Sequence, residues 1–181
     1  MPPYYSTHAQ EYIDSTIDID MTYNHELFLS HFSGGVILDV GFGSGRDMLY
    51  FRSKGYEVEG IDPEQAFVDH ALSLGLHVIK ADALSYRPDK AYDGIWANAS
   101  LLHLPREKMK QAIERLKGML SDKGILFISL KKGIGESIDA LGRPMTYVSE
   151  EELMELGLEI LSISPDALGR DVKWINAIYR R

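Results

Sequence analysis

The chain has 181 residues, 45% of them hydrophobic and 25% charged, a balance that suits one soluble globular domain better than a disordered or membrane-buried chain. Its 27 acidic against 19 basic side chains leave a net charge of −8, which repels a phosphate backbone and argues against nucleic acid as a partner. Without cysteine there are no disulfides or thiolate zinc sites, and no apolar run approaches the roughly 20 residues of a membrane-spanning helix.

The start, MPPYYSTHAQEY, lacks a basic segment followed by an apolar one, so the expected location is cytoplasmic, with no membrane partner. Residues 1–33 are polar and rich in tyrosine and aspartate. Their apolar periodicity is broken: Tyr12, Ile13, Ile17 and Ile19, then Leu27, Phe28, Leu29 and Phe32. One or two short helices are expected there, capping a core formed by 34–181 within a single domain, 1–181. From Val36 onward short apolar runs alternate with helical patterns, the signature of an α/β chain with parallel strands joined by crossover helices. Strands are expected at Val36–Val40, 56–61, His77–Lys80, 92–97 and 125–130.

Met109, Ala112, Ile113 and Leu116 recur at three- and four-residue intervals, which predicts a helix after Pro105 that ends before a turn at Asp122, Lys123 and Gly124. The stretch 132–145 is Gly-rich and polar. Ser149 followed three residues later by Glu152 is a capping box for a helix running to about Gly157. Two last strands, 158–164 and 172–179, are joined by a turn with no helix between them, so they can pair antiparallel.

In VILDVGFGSGRDMLYF a buried strand meets three alternate glycines and then the start of a helix at Arg46. Strand, glycine turn and helix N-terminus together make a nucleotide-type site, with free N–H groups directed at the ligand. Alone, the loop also reads as a plain tight connection. The second strand ends at Asp62, about 20 residues beyond Gly41, the spacing at which an acid meets a pair of ribose hydroxyls. The same Asp62, standing before Pro63, also suits a helix cap. A dinucleotide fold wants G-x-G-x-x-G, and here the third glycine's place is taken by Arg46.

The combination LDVGFGSGRD, GIDPE and KADAL resembles the class I S-adenosylmethionine-dependent methyltransferases, over roughly 34–181. The resemblance implies an α/β, Rossmann-like seven-stranded sheet, mostly parallel with an antiparallel last strand, and helices on both faces. It also implies S-adenosylmethionine as cofactor. By match to the family's motifs, Asp39, Gly41, Phe42 and Gly43 face its methionine half, Asp62 its ribose and Asp82 its adenine amino group. Ala83 offers a backbone N–H to the ring. Phe42 stands where the family often has Cys. The run ILDVGFGSGRDMLYFRSKGYEVEGID also looks like the tellurite-resistance methyltransferases, whose acceptors include oxyanions of tellurium and selenium.

Other residues are read from their chemistry. Arg46 at the loop mouth can pair with the cofactor's carboxylate, or form a solvent-facing pair with Asp47. The loop after the fourth strand, Asn98 to Pro105, lies where open α/β sheets bind ligands. In it, His103 is the candidate base if the acceptor carries a proton, with helix-entry packing as its plainer role. Asn98 bonds either the cofactor's amino group or its own loop. Tyr4, Tyr5 and Tyr12 offer phenols toward the cofactor or serve as packing residues. His8, His25 and His31 are spaced too irregularly for a ligand pair, and no metal is expected. Little chain remains to recognise a large substrate: the N-terminal cap and the stretch 131–147 are the expected walls of the acceptor pocket, which favours a small-molecule methyl acceptor, with a monomer or homodimer expected. A nicotinamide-dependent oxidoreductase and an inactive S-adenosylmethionine-binding module are the alternatives.

Overall fold

The computed structural model describes residues 3–181; the first two residues of the expected cap lie outside the described residues. Three short helices, α1 (Pro3–Thr7), α2 (Ala9–Thr16) and α3 (Thr22–Leu29), precede the sheet. Then come β1 (Val36–Val40), α4 (Arg46–Ser53), β2 (Glu57–Asp62), α5 (Gln65–Ser73), β3 (His77–Lys80), β4 (Tyr92–Asn98) and a single 3-10 turn, Leu101–His103. The chain continues through α6 (Arg106–Gly118), β5 (Leu120–Lys131), β6 (Glu136–Ile138), β7 (Pro144–Thr146), α7 (Glu150–Glu155), β8 (Glu159–Pro165) and β9 (Lys173–Arg180).

Seven strands form one sheet in the order β3-β2-β1-β4-β5-β9-β8, and the β6-β7 hairpin stands apart. β1 pairs parallel with β2 and β4, and β5 parallel with β4, whereas β9 runs antiparallel to both β5 and β8. The expected mostly parallel sheet with one reversed strand is what forms.

Alternation along the strands explains how both faces are covered. Ile37, Trp96 and Phe127 face one side, where α3 and α4 deliver Phe28 and Phe51. Leu38, Ile95 and Leu126 face the other, against Met109, Ala112, Ile113 and Leu116 of α6. Trp96 and Phe127 are cross-strand partners whose rings stack at 4.6 Å and 8°. Burying each such side chain stabilises the fold by about 1.5–3 kcal/mol.

Several local expectations change. The cap holds three helices rather than one or two. The second strand lies one residue later than expected, which makes Asp62 its last residue. No turn interrupts Asp122 to Gly124: β5 runs through them, with Lys123 at φ 66° and the β4–β5 register shifting between Tyr92 and Gly94. A bulge therefore absorbs the turn residues. The 132–145 stretch holds the β6-β7 hairpin, closed by Asp139, which takes the N–H groups of Leu141 and Arg143. The Ser149–Glu152 capping box forms in both directions.

Candidate functional site

The carboxyl ends of β1, β4 and β5 and the cap enclose a cavity of about 660 Å³, well within the size range of small-ligand sites. Among the residues singled out in the sequence, Tyr5, Tyr12, Gly41, Phe42, Arg46, Asn98 and His103 line it. Asp39, Gly43, Asp62, Asp82 and Ala83 do not; they lie below the glycine loop or toward the β2 and β3 side of the sheet.

Two glycines set the loop's shape. Gly41 has φ 73°, and a Cβ there would stand 2.6 Å from Ser100 Cβ. Gly43 has φ 55°, and a Cβ there would come within 3.1 Å of Tyr12 Cε1. Both conformations are strained for any residue with a side chain. Behind the loop, one carboxylate oxygen of Asp39 and the hydroxyl of Ser100 are buried without a hydrogen-bond partner among the described residues. Burial, reinforced by the charge of Asp47, raises Asp39 well above the ordinary carboxylate range. An unpaired buried acceptor is costly, and an ammonium group arriving at this loop relieves it.

Asp62, 1% exposed, accepts the Gly43 N–H at 3.1 Å and the Glu64 N–H at 2.9 Å. Burial pushes its carboxyl up to about 6, against the pull of those two donors. Helix α5 starts only at Gln65, with Glu64 at its N-cap position, so Asp62 shapes the loop before the helix rather than capping its first turn. Asp82 accepts the N–H groups of Leu84 and Ser85, which hold it below its usual range although burial opposes them. Ala83 is buried beside it.

Over the loop sits an aromatic lid. Tyr5 and Tyr12 meet edge to face at 5.1 Å, and both pack on Phe67 of α5, at 5.8 and 5.3 Å. Burial raises the Tyr12 phenol; the Arg46 charge opposes this and that of Asp62 adds to it.

Arg46 does not face solvent. Its Nε and Nη2 bind both oxygens of Asp47, at 2.8 and 3.0 Å, and Nη1 donates to Thr16 O at 3.3 Å. Three of the five guanidinium N–H groups are thereby used and two remain. Asp47 also accepts from His25 Nε2 at 2.8 Å, Trp96 Nε1 at 2.9 Å and Asn98 Nδ2 at 3.3 Å. Burial alone would raise Asp47, but Arg46 and the His25 bond outweigh it and hold the carboxyl far below its usual range. The Asn98 side chain is thus tied into its surroundings, accepting from Asn24 as well.

At the other end of the cavity, His103 Nδ1 lies 2.9 Å from Pro144 O, which fixes the proton there and leaves Nε2 as acceptor. That acceptor is already engaged: the Tyr5 hydroxyl stands 2.8 Å away. Burial drops His103 to about 4 despite the Pro144 bond, so it is neutral at pH 7. Tyr5, raised by burial, takes a hydrogen bond from Arg143 Nη1 at 3.2 Å. Sequence reasoning missed His25 and named Asp47 only as a solvent-facing partner of Arg46, whereas Lys131 and Arg143 fall in the 131–147 stretch expected to wall the acceptor pocket and do line the cavity.

Comparisons with known proteins bear on the fold that carries this cavity. Residues 37–124 match a family model described as a methyltransferase domain. Trans-aconitate 2-methyltransferase of Escherichia fergusonii is 28% identical over 130 residues, 70% of this chain and 50% of that protein. The chain thus spans about half the length of the curated relatives it matches. Among solved structures, 1,6-didemethyltoxoflavin-N1-methyltransferase from Burkholderia thailandensis, with 1,6-didemethyltoxoflavin and S-adenosylhomocysteine bound, superposes with TM-score 0.81 at 19% identity. That match covers 98% of this chain and 85% of the other. The N-methyltransferase NodS from Bradyrhizobium japonicum, in complex with S-adenosylhomocysteine, gives TM-score 0.71 at 16% identity, covering 98% of each chain.

Proposed function

We propose, for a chain that carries a methyltransferase domain on the class I S-adenosylmethionine-dependent methyltransferase fold, the transfer of a methyl group from S-adenosylmethionine to a small-molecule acceptor by in-line displacement. The observation that carries this reading is the glycine loop, backed by the unpartnered buried oxygen of Asp39 and opening into the 660 Å³ cavity. Those residues fit the cofactor's charged ends: Asp39 accepts an ammonium, and the two spare N–H groups of Arg46 meet a carboxylate. Asp62 takes the ribose hydroxyls, Asp82 and the Ala83 N–H the adenine, and Gly41, Phe42 and Gly43 the thioether side. Bound there, S-adenosylmethionine supplies an electrophilic methyl on its sulfonium.

The chain's own task is alignment, which can contribute up to about 7–11 kcal/mol in well-oriented cases. His103 acts through Tyr5 rather than directly. An acceptor proton moves to the Tyr5 oxygen as the Tyr5 proton moves to His103 Nε2, and with the imidazole near 4 this relay suits only an acidic acceptor, while one already deprotonated at the reacting atom needs no relay. Tyr12 and its cap lie over Gly43 and Asp62, so cofactor entry on the ribose side requires the cap to shift.

The same reading takes the chain as one domain, monomeric or homodimeric, and places it in the cytoplasm with no nucleic-acid partner; the absence of cysteine supports the compartment and the net charge of −8 the lack of a nucleic-acid partner. No helix of the described residues is long and apolar enough to cross a membrane. Calorimetry with S-adenosylmethionine and with NAD, followed by a transfer assay over thiols, amines, phenols, carboxylates, tellurite and selenite, tests the reading against the oxidoreductase and the inactive module. NAD binding, or cofactor binding without any transfer, decides for one of those instead.

A further inference from the structure

We propose that the acceptor is a small organic anion, held through its negative group by the Lys131 ammonium at the end of the cavity away from the glycine loop; this rests on the methyl-transfer reading of the same cavity. Lys131 is the last residue of β5, paired in register with Trp174 of β9, and it lines the cavity. In the sheet order β5 stands two strands from β1, about 10 Å away. The ammonium is therefore on the acceptor side, while the ribose acid Asp62 lies on β2, beyond β1.

The other cations on the wall are already matched. Arg143 holds Asp139 with Nε at 2.8 Å and Nη2 at 2.7 Å, and Arg170 holds Asp166 with Nε at 2.9 Å and Nη2 at 2.7 Å. Arg46 is matched by Asp47. Lys131 is not: among the described residues no carboxylate lies within ion-pair distance of its Nζ. Its contacts are the thioether of Met145 at 3.8 Å and the face of Trp174, whose centroid is 5.8 Å away. Asp20, the remaining acid on the cavity wall, is exposed and accepts the Thr22 N–H.

A half-buried ammonium with three donors and only a weak sulfur acceptor gains from any anion that reaches it. Burial presses its proton affinity down, with Arg170 and Arg143 adding to this and Tyr147 and Asp139 opposing it. The surrounding wall of Leu102, Met145, Ile163, Leu168 and Trp174 is apolar, so the body of the anion is apolar or aromatic, and Trp174 offers it a flat face.

The test uses the full chain saturated with S-adenosylhomocysteine, titrated by calorimetry with benzoate and phenylacetate and with uncharged benzamide. The expected result is that an anion binds at least tenfold more tightly than benzamide. Lys131→Met should weaken the anion about tenfold or more, and Lys131→Arg should retain most of the affinity. S-adenosylhomocysteine affinity should be the same in all three proteins, with thermal melts checking that each is folded. Anions binding no better than benzamide, or equally well to Lys131→Met, overturn the proposal. So does a Lys131→Met variant that loses S-adenosylhomocysteine instead, since the ammonium then holds the cofactor's carboxylate. Failure of the wild type to bind S-adenosylhomocysteine removes the methyl-transfer reading; the same anion titrations without it still measure whether Lys131 selects negative charge.

Discussion

His103 Nε2 and the Tyr5 hydroxyl lie 2.8 Å apart across 98 residues of chain, joining the cap to the acceptor end of the cavity. With Nδ1 committed to Pro144 O, the imidazole can only accept from Tyr5. Tyr5→Phe keeps the ring against Phe67 and removes the proposed proton path. Steady-state kinetics should give turnover at least about tenfold lower, with S-adenosylhomocysteine affinity within about twofold of wild type. Unchanged turnover takes both residues out of the chemistry.

The depressed His103 also shapes stability. Its folded value of about 4 lies below the unfolded 6.5, so between those pH values the unfolded chain binds more protons and this group's contribution falls as the solution is acidified. The full effect is on the order of 3 kcal/mol. Asp62, raised to about 6 from 3.8, acts oppositely: its contribution falls as pH rises through the same window. Urea unfolding of wild type and His103→Phe from pH 4 to 7 isolates the histidine. The difference between them should shrink toward pH 4, and a constant difference contradicts the assignment.

Asp47 gathers donors from α3, α4 and β4: His25, Arg46, Trp96 and Asn98. Asp47→Ala leaves the part-buried Arg46 guanidinium and two buried donors unmatched, at a cost of about 3–5 kcal/mol. Equilibrium unfolding should show that loss at pH 7. A change below 1 kcal/mol would mean water replaces the carboxylate.

Much of this was legible in the chain. An apolar run, glycines and an amphipathic start made the β1-loop-α4 corner readable, and the helix-free final connection announced the reversed strand. The readable features were local. The Asp47 cluster was not, because its donors come from residues 25, 46, 96 and 98 and no spacing along the chain links them. His25 stood out only as one of three histidines too irregularly spaced to ligate together, yet it is buried against Tyr50 at 4.0 Å. Arg46 was read as meeting either the ligand or Asp47 in solvent; the Asp47 pair forms, but behind the cap rather than facing solvent. The hairpin after β5 escaped notice since its short strands are set by pairing, Glu136 with Thr146 and Ile138 with Pro144, rather than by an apolar alternation.

The cap over Gly43 makes a separate expectation. If Tyr12 must leave for the ribose to reach Asp62, hydrogen exchange over α1 and α2 should change when S-adenosylhomocysteine binds. Exchange over β4 and β5, deep in the sheet, should stay slow throughout. Cap amides that do not respond would mean the cofactor enters from elsewhere.

The central claim is that one adenosine is gripped at the ends of β1 and β2, with its sugar on Asp62. Calorimetric titration of S-adenosylhomocysteine into wild type and Asp62→Ala at pH 5, 6 and 7 tests it most directly. One site per chain is expected, binding more tightly in wild type as pH rises through about 6 and Asp62 ionises. Asp62→Ala should bind about tenfold or more weakly at pH 7, with that pH dependence gone. Equal affinity in the two proteins, or no binding to wild type at any pH, contradicts the account.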